Sequence, residues 1–217
     1  MMKVACVSYR DWALKIYDEI AKLDNIETMI IRSEEDYNED DIINFNPDMI
    51  LFYGWSQIIK SSILKNFKCI MLHPAPLPKY RGGTPIQNQI IRGEIKSAVT
   101  LFLMDEGIDT GDIILQEEIS FEGHLFDILD RMTTVGLKLT KKMLAGEYSL
   151  TPQDNANATY FKRISPKNNE ITLEELQTKP AQYLYNKIRM LEDPYPNAYI
   201  KTSDGKKLLI KFAEICD

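Results

Sequence analysis

Cys69-Ile70-Met71-Leu72-His73-Pro74-Ala75-Pro76-Leu77-Pro78-Lys79-Tyr80-Arg81-Gly82-Gly83-Thr84-Pro85 carries an apolar strand into a stiff turn and out into a helix-forming segment. Residues 69–72 have the texture of a buried parallel strand. His73 precedes a proline, which pushes its backbone into an extended conformation. The prolines at 74, 76 and 78 then hold the path of the loop without a hydrogen-bond ladder. Residues 84–92 read as a helix. A strand that delivers a histidine at its carboxyl end and continues into a helix is the βα unit of an open α/β sheet. Such sheets place their ligand crevice at that end. A histidine merely satisfied within its own loop is the competing reading.

Working outward, residues 3–8 read as a buried strand, and Asp11 is placed to cap a helix through Ala13, Ile16, Tyr17, Ile20 and Leu23. Strands follow at 28–32 and 48–53, separated by an acidic run at 33–41 that reads as a solvated loop or helix start. Residues 63–67 lead into the strand already quoted. Two further strands are expected at 98–104 and 112–119. A long helix at Leu125–Leu144 places Leu125, Ile128, Leu129, Met132, Val135 and Leu139 on one face. This alternation implies an α/β, Rossmann-like, doubly wound and mostly parallel sheet.

The texture changes after Ser149. Residues 151–159 read as a polar linker, residues 179–191 as an amphipathic helix, and 198–201 with 207–212 as a hairpin around Asp204-Gly205. The expected division is a catalytic domain at 1–150 and a small C-terminal extension at 151–217, made of linker, helix and β-hairpin. The first strand is followed by Ser8-Tyr9-Arg10-Asp11, with neither GxGxxG nor a Walker loop, so nothing here licenses a dinucleotide or ATP.

The 217 residues carry 26 Lys+Arg against 32 Asp+Glu, a formal net charge of −6. That balance argues against a nucleic-acid partner, since affinity for phosphate backbones comes chiefly from Lys and Arg. The longest apolar stretch, 49–55, is far short of the ~20 residues that span a bilayer, and no apolar leader follows Met1. A cytoplasmic protein without a membrane partner is expected. Cys6, Cys69 and Cys216 show no CxxC spacing, and only His73 and His124 accompany them, so no metal site is expected.

The second chemical element is Met104-Asp105-Glu106-Gly107-Ile108-Asp109-Thr110-Gly111-Asp112, a tight loop that aims a carboxylate inward. Standing alone it would read as a polar turn with capping aspartates. Together the two segments resemble the formyltransferase family that uses 10-formyltetrahydrofolate. The likeness rests on His-Pro-x-x-x-Pro-x-Tyr-Arg-Gly followed by Asp-x-Gly-x-Asp-Thr-Gly-Asp, and covers residues 48–119 most strongly. It implies the formyltransferase fold, with 10-formyltetrahydrofolate as co-substrate and no metal. Catalytic roles fall on His73 and on Asp109 rather than Asp112. The family's third catalytic residue, an asparagine two positions before the histidine, is Met71 here. Residues 71 and 73 of a strand share a face, which is why that spacing serves one site.

In the chemistry implied, an amine attacks the formyl carbon through a tetrahedral oxyanion and loses a proton. His73 would carry that proton or meet the oxyanion, and Asp109 would orient it. The asparagine normally donates to the oxyanion, and losing one such donor typically costs ~10²–10³ in rate. A water, a backbone N–H or Gln57 would have to substitute, or the chain is slow or inactive. Tyr53-Gly54-Trp55-Ser56-Gln57-Ile58 matches the family's pterin-pocket segment. Trp55, Ser56, Gln57 and Ile58, with Met104, Asp105, Gly107 and Ile108, are therefore the candidate co-substrate contacts. Trp55 reads equally well as core.

Arg10, Lys79, Tyr80, Arg81 and Gly82 are the candidate acceptor contacts. Segments 160–166 and 188–198 resemble those of sugar N-formyltransferases, and more loosely those of tRNA enzymes. The expected acceptor is the amine of an amino-deoxysugar nucleotide, with a homodimer formed through the C-terminal extension. The alternatives are a methionyl-tRNA-type or amino-acid formyltransferase, and a catalytically degenerate relative that binds folate or nucleotide.

Overall fold

Alternation along the first strand, β1 (Met2–Val7), sorts its residues onto two faces: Val4 and Cys6 enter one apolar cluster, Ala5 and Val7 another. A strand buried on both faces is the mark of a parallel sheet covered on both sides. The computed structural model, which describes residues 1–216, continues with α1 (Asp11–Ile20), β2 (Ile26–Ile31), α2 (Glu39–Phe45), β3 (Met49–Phe52) and α3 (Ser61–Asn66). β4 (Cys69–His73), the short β5 (Arg81–Gly82), α4 (Pro85–Ile90), β6 (Lys96–Leu103), β7 (Ile113–Ser120) and α5 (Leu125–Leu144) follow. Beyond them lie β8 (Tyr160–Phe161), α6 (Leu173–Thr178), α7 (Ala181–Arg189), β9 (Ala198–Lys201) and β10 (Lys207–Ile210).

The main sheet has the order β2-β1-β3-β4-β6-β7. Its first four strands are parallel, whereas β6 runs antiparallel to β4 and β7 antiparallel to β6. The reversal has a geometric cause. α4 spans six residues, roughly 9 Å at helical rise, too little to bring the chain back to the opposite edge of the sheet. β6 therefore enters from beyond the carboxyl end of β4 and runs back along it, pairing Thr100 with His73 and Leu103 with Ile70.

Ile16, Tyr17 and Ile20 of α1 and Ile128, Met132 and Leu139 of α5 cover one face; Ile42 of α2 and Ile63 of α3 cover the other. Tyr17 locks β1 to β3: its hydroxyl accepts from the Tyr53 N–H at 2.8 Å and donates to the Leu51 carbonyl at 2.9 Å. Burial pushes this phenol far above its ordinary range. Burial likewise raises the Cys69 thiol to about 12, so it is an inert packing group.

Two expectations need correction. Asp11 is the first residue of α1 rather than its cap, and Arg10 before it supplies no capping side chain. Residues 151–159 are not a free linker, because Thr151 bridges Ile113 and a 3-10 turn at Asn155–Asn157 presents polar groups to the loop after β4. Ile171, Ile188, Met190, Leu191 and Ala198 of the C-terminal extension join the same cluster as α1 and α5. Arg189 fastens it by donating to the Phe121 and Gly123 carbonyls at 2.7 and 2.6 Å. The β9–β10 hairpin leaves Leu208 and Leu209 exposed. Among the described residues no helix is long and apolar enough to cross a membrane.

Candidate active site

His73 ends β4, and its loop has no strand partner, so side chains supply what a ladder would. Gln89 donates to the Pro74 carbonyl at 2.8 Å, Thr100 to Ala75 at 2.7 Å, and Gln116 to Leu77 at 3.1 Å. The loop is thus fixed from α4, β6 and β7 at once. Tyr80, at φ +60°, turns its carbonyl back to accept from His73 Nε2 at 2.8 Å. A carbonyl only accepts, so that nitrogen carries a proton and Nδ1 is the free position. Nδ1 lies 3.6 Å from Asp109 Oδ2. That separation is an ion-pair distance rather than a hydrogen bond, as is common before substrate tightens a site.

Asp109 reaches His73 because loop 104–112 folds back over β4, with Asp109 itself in the left-handed region at φ +54°, a conformation Asp tolerates better than most residues. Its Oδ2 also accepts from the Gly82 N–H at 2.8 Å. Gln153 holds the loop from outside, donating to the carbonyls of Asp109 (3.0 Å) and Gly111 (2.7 Å). Gly111 is required by close approach: a Cβ there would lie 1.7 Å from the Leu103 carbonyl oxygen. His73 and Asp109 are both largely buried, so a proton gained at Nδ1 would face a carboxylate in a medium poorer in water than the surface.

Met71 lies across from Phe102 in the β4–β6 ladder, and its half-buried side chain packs on the cluster that contains Trp55, Ile63 and Cys69. It is on the face shared with His73 and offers a thioether, a weak acceptor and no donor. Gln57 does not replace the missing amide, since its side chain is exposed and donates to Glu34 at 3.0 Å. Trp55 is buried between Tyr9 and Tyr37, with ring centroids at 5.4 and 5.1 Å. Among the described residues its Nε1 has no partner, and neither does the buried Tyr37 hydroxyl. An apolar wall of Trp55, Met71 and Met104 with unsatisfied polar atoms beside it suits a flat heterocycle that brings its own acceptors.

The other expected contacts are dispersed. Ser56 hydrogen-bonds the Tyr9 hydroxyl, and Ile58 is 97% exposed, leaving only its backbone for a ligand. Asp105 is spent inside its own loop, accepting from the Gly107 N–H at 2.9 Å and the Thr110 hydroxyl at 2.6 Å. Ile108 faces solvent. Lys79 is exposed. Tyr80 donates its hydroxyl to Glu94 at 2.6 Å and stacks on Phe161; burial, with the Glu94 bond and charge, raises it to about 12. Gly82 contributes its N–H to Asp109.

Arg81, expected as an acceptor contact, lies inside the loop that carries it. It is fully buried, and its guanidinium donates to Gln153, Asn155 and the Tyr160 hydroxyl at 2.6–3.0 Å. A cation so enclosed, with four of its five N–H groups spent on the chain itself, is a strut for the loop. Gln153, Thr159 and Tyr160 were missed because a polar stretch reads as linker. The aromatic pair Tyr160-Phe161 just beyond it was the available signal that the stretch is anchored. No group of residues with metal-ligand character occurs among the described residues.

Residues 14–142 match the family model described as Formyl transferase. A methionyl-tRNA formyltransferase of Campylobacter curvus is 35% identical over 181 residues, covering 81% of this chain and 56% of that protein. The chain thus spans little more than half the length of such relatives. Among solved structures, a methionyl-tRNA formyltransferase from Clostridium thermocellum superposes with a TM-score of 0.86 at 28% identity, over 97% of each chain. A sugar N-formyltransferase from Shewanella sp FDAARGOS_354 reaches 0.77 at 22% identity over 100% of each, a likeness of fold.

Proposed function

Since this chain belongs to the formyl transferase family, we propose that it moves the formyl group of 10-formyltetrahydrofolate to a primary amine. The observation that carries the proposal is His73, whose Nε2 is tied to the Tyr80 carbonyl while Nδ1 faces Asp109 at 3.6 Å. This ring is held in one orientation with one basic nitrogen beside a carboxylate. His73 Nδ1 takes the proton that the attacking amine must lose, and Asp109 stabilises the imidazolium so formed. The Gly82 N–H and the Gln153 bonds keep Asp109 from turning away. When bound, the co-substrate supplies the formyl carbon; Trp55, Met71 and Met104 would hold its ring, with backbone groups of 55–58 and 104–108 at its edge.

For the acceptor, relatives named methionyl-tRNA formyltransferases at 35% identity support an aminoacyl-tRNA over the nucleotide sugar that the sequence suggested. The sugar enzymes among the structural neighbours share fold at 22% identity and carry no substrate argument. Met71 makes the chain slow, because the oxyanion lacks the family's amide.

The test is tetrahydrofolate release from 10-formyltetrahydrofolate with methionyl-tRNA, and separately with a panel of amino-deoxysugar nucleotides. Turnover with methionyl-tRNA that His73→Asn abolishes is the expected result. Turnover with a sugar nucleotide alone would restore the sugar acceptor. Silence with every acceptor, together with measurable tetrahydrofolate binding, would overturn the proposal in favour of a binding-only relative.

A further inference from the structure

A second concave site lies at the same end of the sheet as His73 but on the side covered by α1 and α5. It is a cavity of about 170 Å³ between the first turns of those helices and residues 193–195. This size takes one planar ring rather than a whole ligand: a cavity of ~150 Å³ accepts benzene, and sites enclosing drug-sized molecules run to roughly 300–1,000 Å³.

Its walls combine flat apolar faces with two uncommitted cations, Arg10 and Lys15, and three carboxylates, Asp11, Asp130 and Asp193. Trp12, Phe126 and Tyr195 supply the faces, and Phe126 is 70% exposed at the rim. The Arg10 guanidinium is stacked between the rings of Tyr9 (4.8 Å) and Tyr195 (5.5 Å). Among the described residues neither Arg10 nor Lys15 forms an ion pair or a side-chain hydrogen bond, so all their donors are free. The seat is built rather than incidental. Gly54, at φ +66°, lies under it, and a Cβ there would come within 2.8 Å of Arg10 Cγ and 2.9 Å of Trp12 Cζ2. A bare backbone at the end of β3 is what lets both side chains settle.

Free cations beside flat rings match a nucleotide, whose phosphate suits guanidinium and ammonium and whose base stacks on aromatic faces. Asp130 on the facing wall is an acceptor for a base's exocyclic amine, whereas Asp193 is already held by Lys211 and Asn197. Position agrees. Arg10 follows β1 and His73 ends β4, with β3 between them, which separates the two by about 10 Å at the usual strand spacing. In an aminoacyl-adenosine end and in an amino-sugar nucleotide alike, a sugar ring intervenes between the reacting amine and the phosphate.

We propose that this cavity seats the base of the acceptor's nucleotide against Trp12, Phe126 and Tyr195, with the attached phosphate outside it on Arg10 and Lys15. The assignment rests on the formyl-transfer reading. Calorimetric titrations of the full chain with adenosine 5′-monophosphate, uridine diphosphate and thymidine diphosphate test it, with tetrahydrofolate titrated in parallel. Lys15→Glu and Phe126→Ala, both at exposed helix positions, are the variants. At least one nucleotide should bind, about tenfold or more weakly after Lys15→Glu and about threefold or more weakly after Phe126→Ala, with tetrahydrofolate affinity unchanged. Preference for the adenosine probe identifies a tRNA end as the source; preference for a diphosphate identifies a sugar nucleotide. No nucleotide binding at millimolar concentration, or binding that neither variant weakens, overturns the assignment. Tetrahydrofolate binding without nucleotide binding removes this site alone, and nucleotide binding without tetrahydrofolate binding removes the formyl-transfer reading instead.

Discussion

Replacing Gln153 separates what stabilises the loop from what positions Asp109. The Gln153 side chain makes four hydrogen bonds: it accepts from Arg81 Nε and Nη2 at 3.0 and 2.7 Å and donates to the Asp109 and Gly111 carbonyls at 3.0 and 2.7 Å. Bonds between neutral groups contribute about 0.5–1.5 kcal/mol each and those to a charged group about 1.5–3. They are not additive here, because Arg81 keeps Asn155 and Tyr160. Gln153→Ala is therefore expected to cost about 3–4 kcal/mol, a fall of roughly 6–16 °C in Tm for a chain of this size. Gln153→Glu still accepts from Arg81, now as a charged pair, but cannot donate to either carbonyl; its cost should be about 1–2 kcal/mol. Urea unfolding at constant m measures both. Formyl transfer should fall similarly in the two variants, since both free the Asp109 loop. If Gln153→Ala lay within about 0.5 kcal/mol of the parent, the buried guanidinium would not depend on this side chain and the strut reading of Arg81 would be refuted.

Met71→Asn should raise kcat by ~10²–10³ with tetrahydrofolate affinity unchanged, measured by product release and titration; an unchanged kcat means Met71 does not limit the rate. Gly111→Ala should lower the urea midpoint and transfer together, because its Cβ would sit 1.7 Å from a backbone oxygen; a fully stable, active variant contradicts that. Glu175 supplies a pH test. Desolvation raises its pKa, but donation from Lys187 and from the Thr172 N–H, the Lys187 charge and the Tyr183 hydroxyl outweigh this and leave it below the ordinary 4.5. A depressed folded value means the stabilisation is present above the unfolded value and lost as pH falls through the folded one. The stability gap between the parent and Glu175→Gln should therefore shrink as pH drops below about 4.5, and parallel unfolding midpoints across that range would contradict it.

What the sequence made legible follows from where periodicity is strong. α5 lies at Leu125–Leu144, the span its apolar stripe predicts, because Asp127 accepts from the His124 N–H and fixes its first turn. β1, β3 and β4 are continuous apolar runs buried on both faces, and the pattern located them to within a residue or two. The direction of β6 was not legible, since periodicity carries no polarity and the reversal depends on the length of α4. The His73–Asp109 pair was implied by the family resemblance of the two loops, and the structure places the side chains 3.6 Å apart. Arg81 could not be assigned, because an arginine in a glycine-flanked loop looks like a ligand contact. Its burial is decided by Gln153, Asn155 and Tyr160, more than seventy residues downstream.

Net charge is a weak guide to the acceptor for a related reason. The chain's −6 argued against tRNA only if the charge is spread over the surface. Glu34, Glu35, Asp36, Glu39, Asp40 and Asp41 form one run without a single Lys or Arg, and without them the acids and bases of the chain balance. Its Glu34 end reaches Gln57, while Glu39, Asp40 and Asp41 form the first turn of α2. Arg10, Lys15 and Lys79 stand instead near the strand ends that carry His73. Exposed charges farther apart than the Debye length, ~8 Å at physiological ionic strength, are largely screened from one another. An anionic acceptor approaching His73 meets the local cations rather than the average. Neutralising the α2 part of the run, for example with Asp40→Asn and Asp41→Asn together, should therefore leave the KM for methionyl-tRNA within about twofold at physiological salt. A larger change would mean that the acidic edge is felt at the site and that the overall charge does bear on the choice of acceptor.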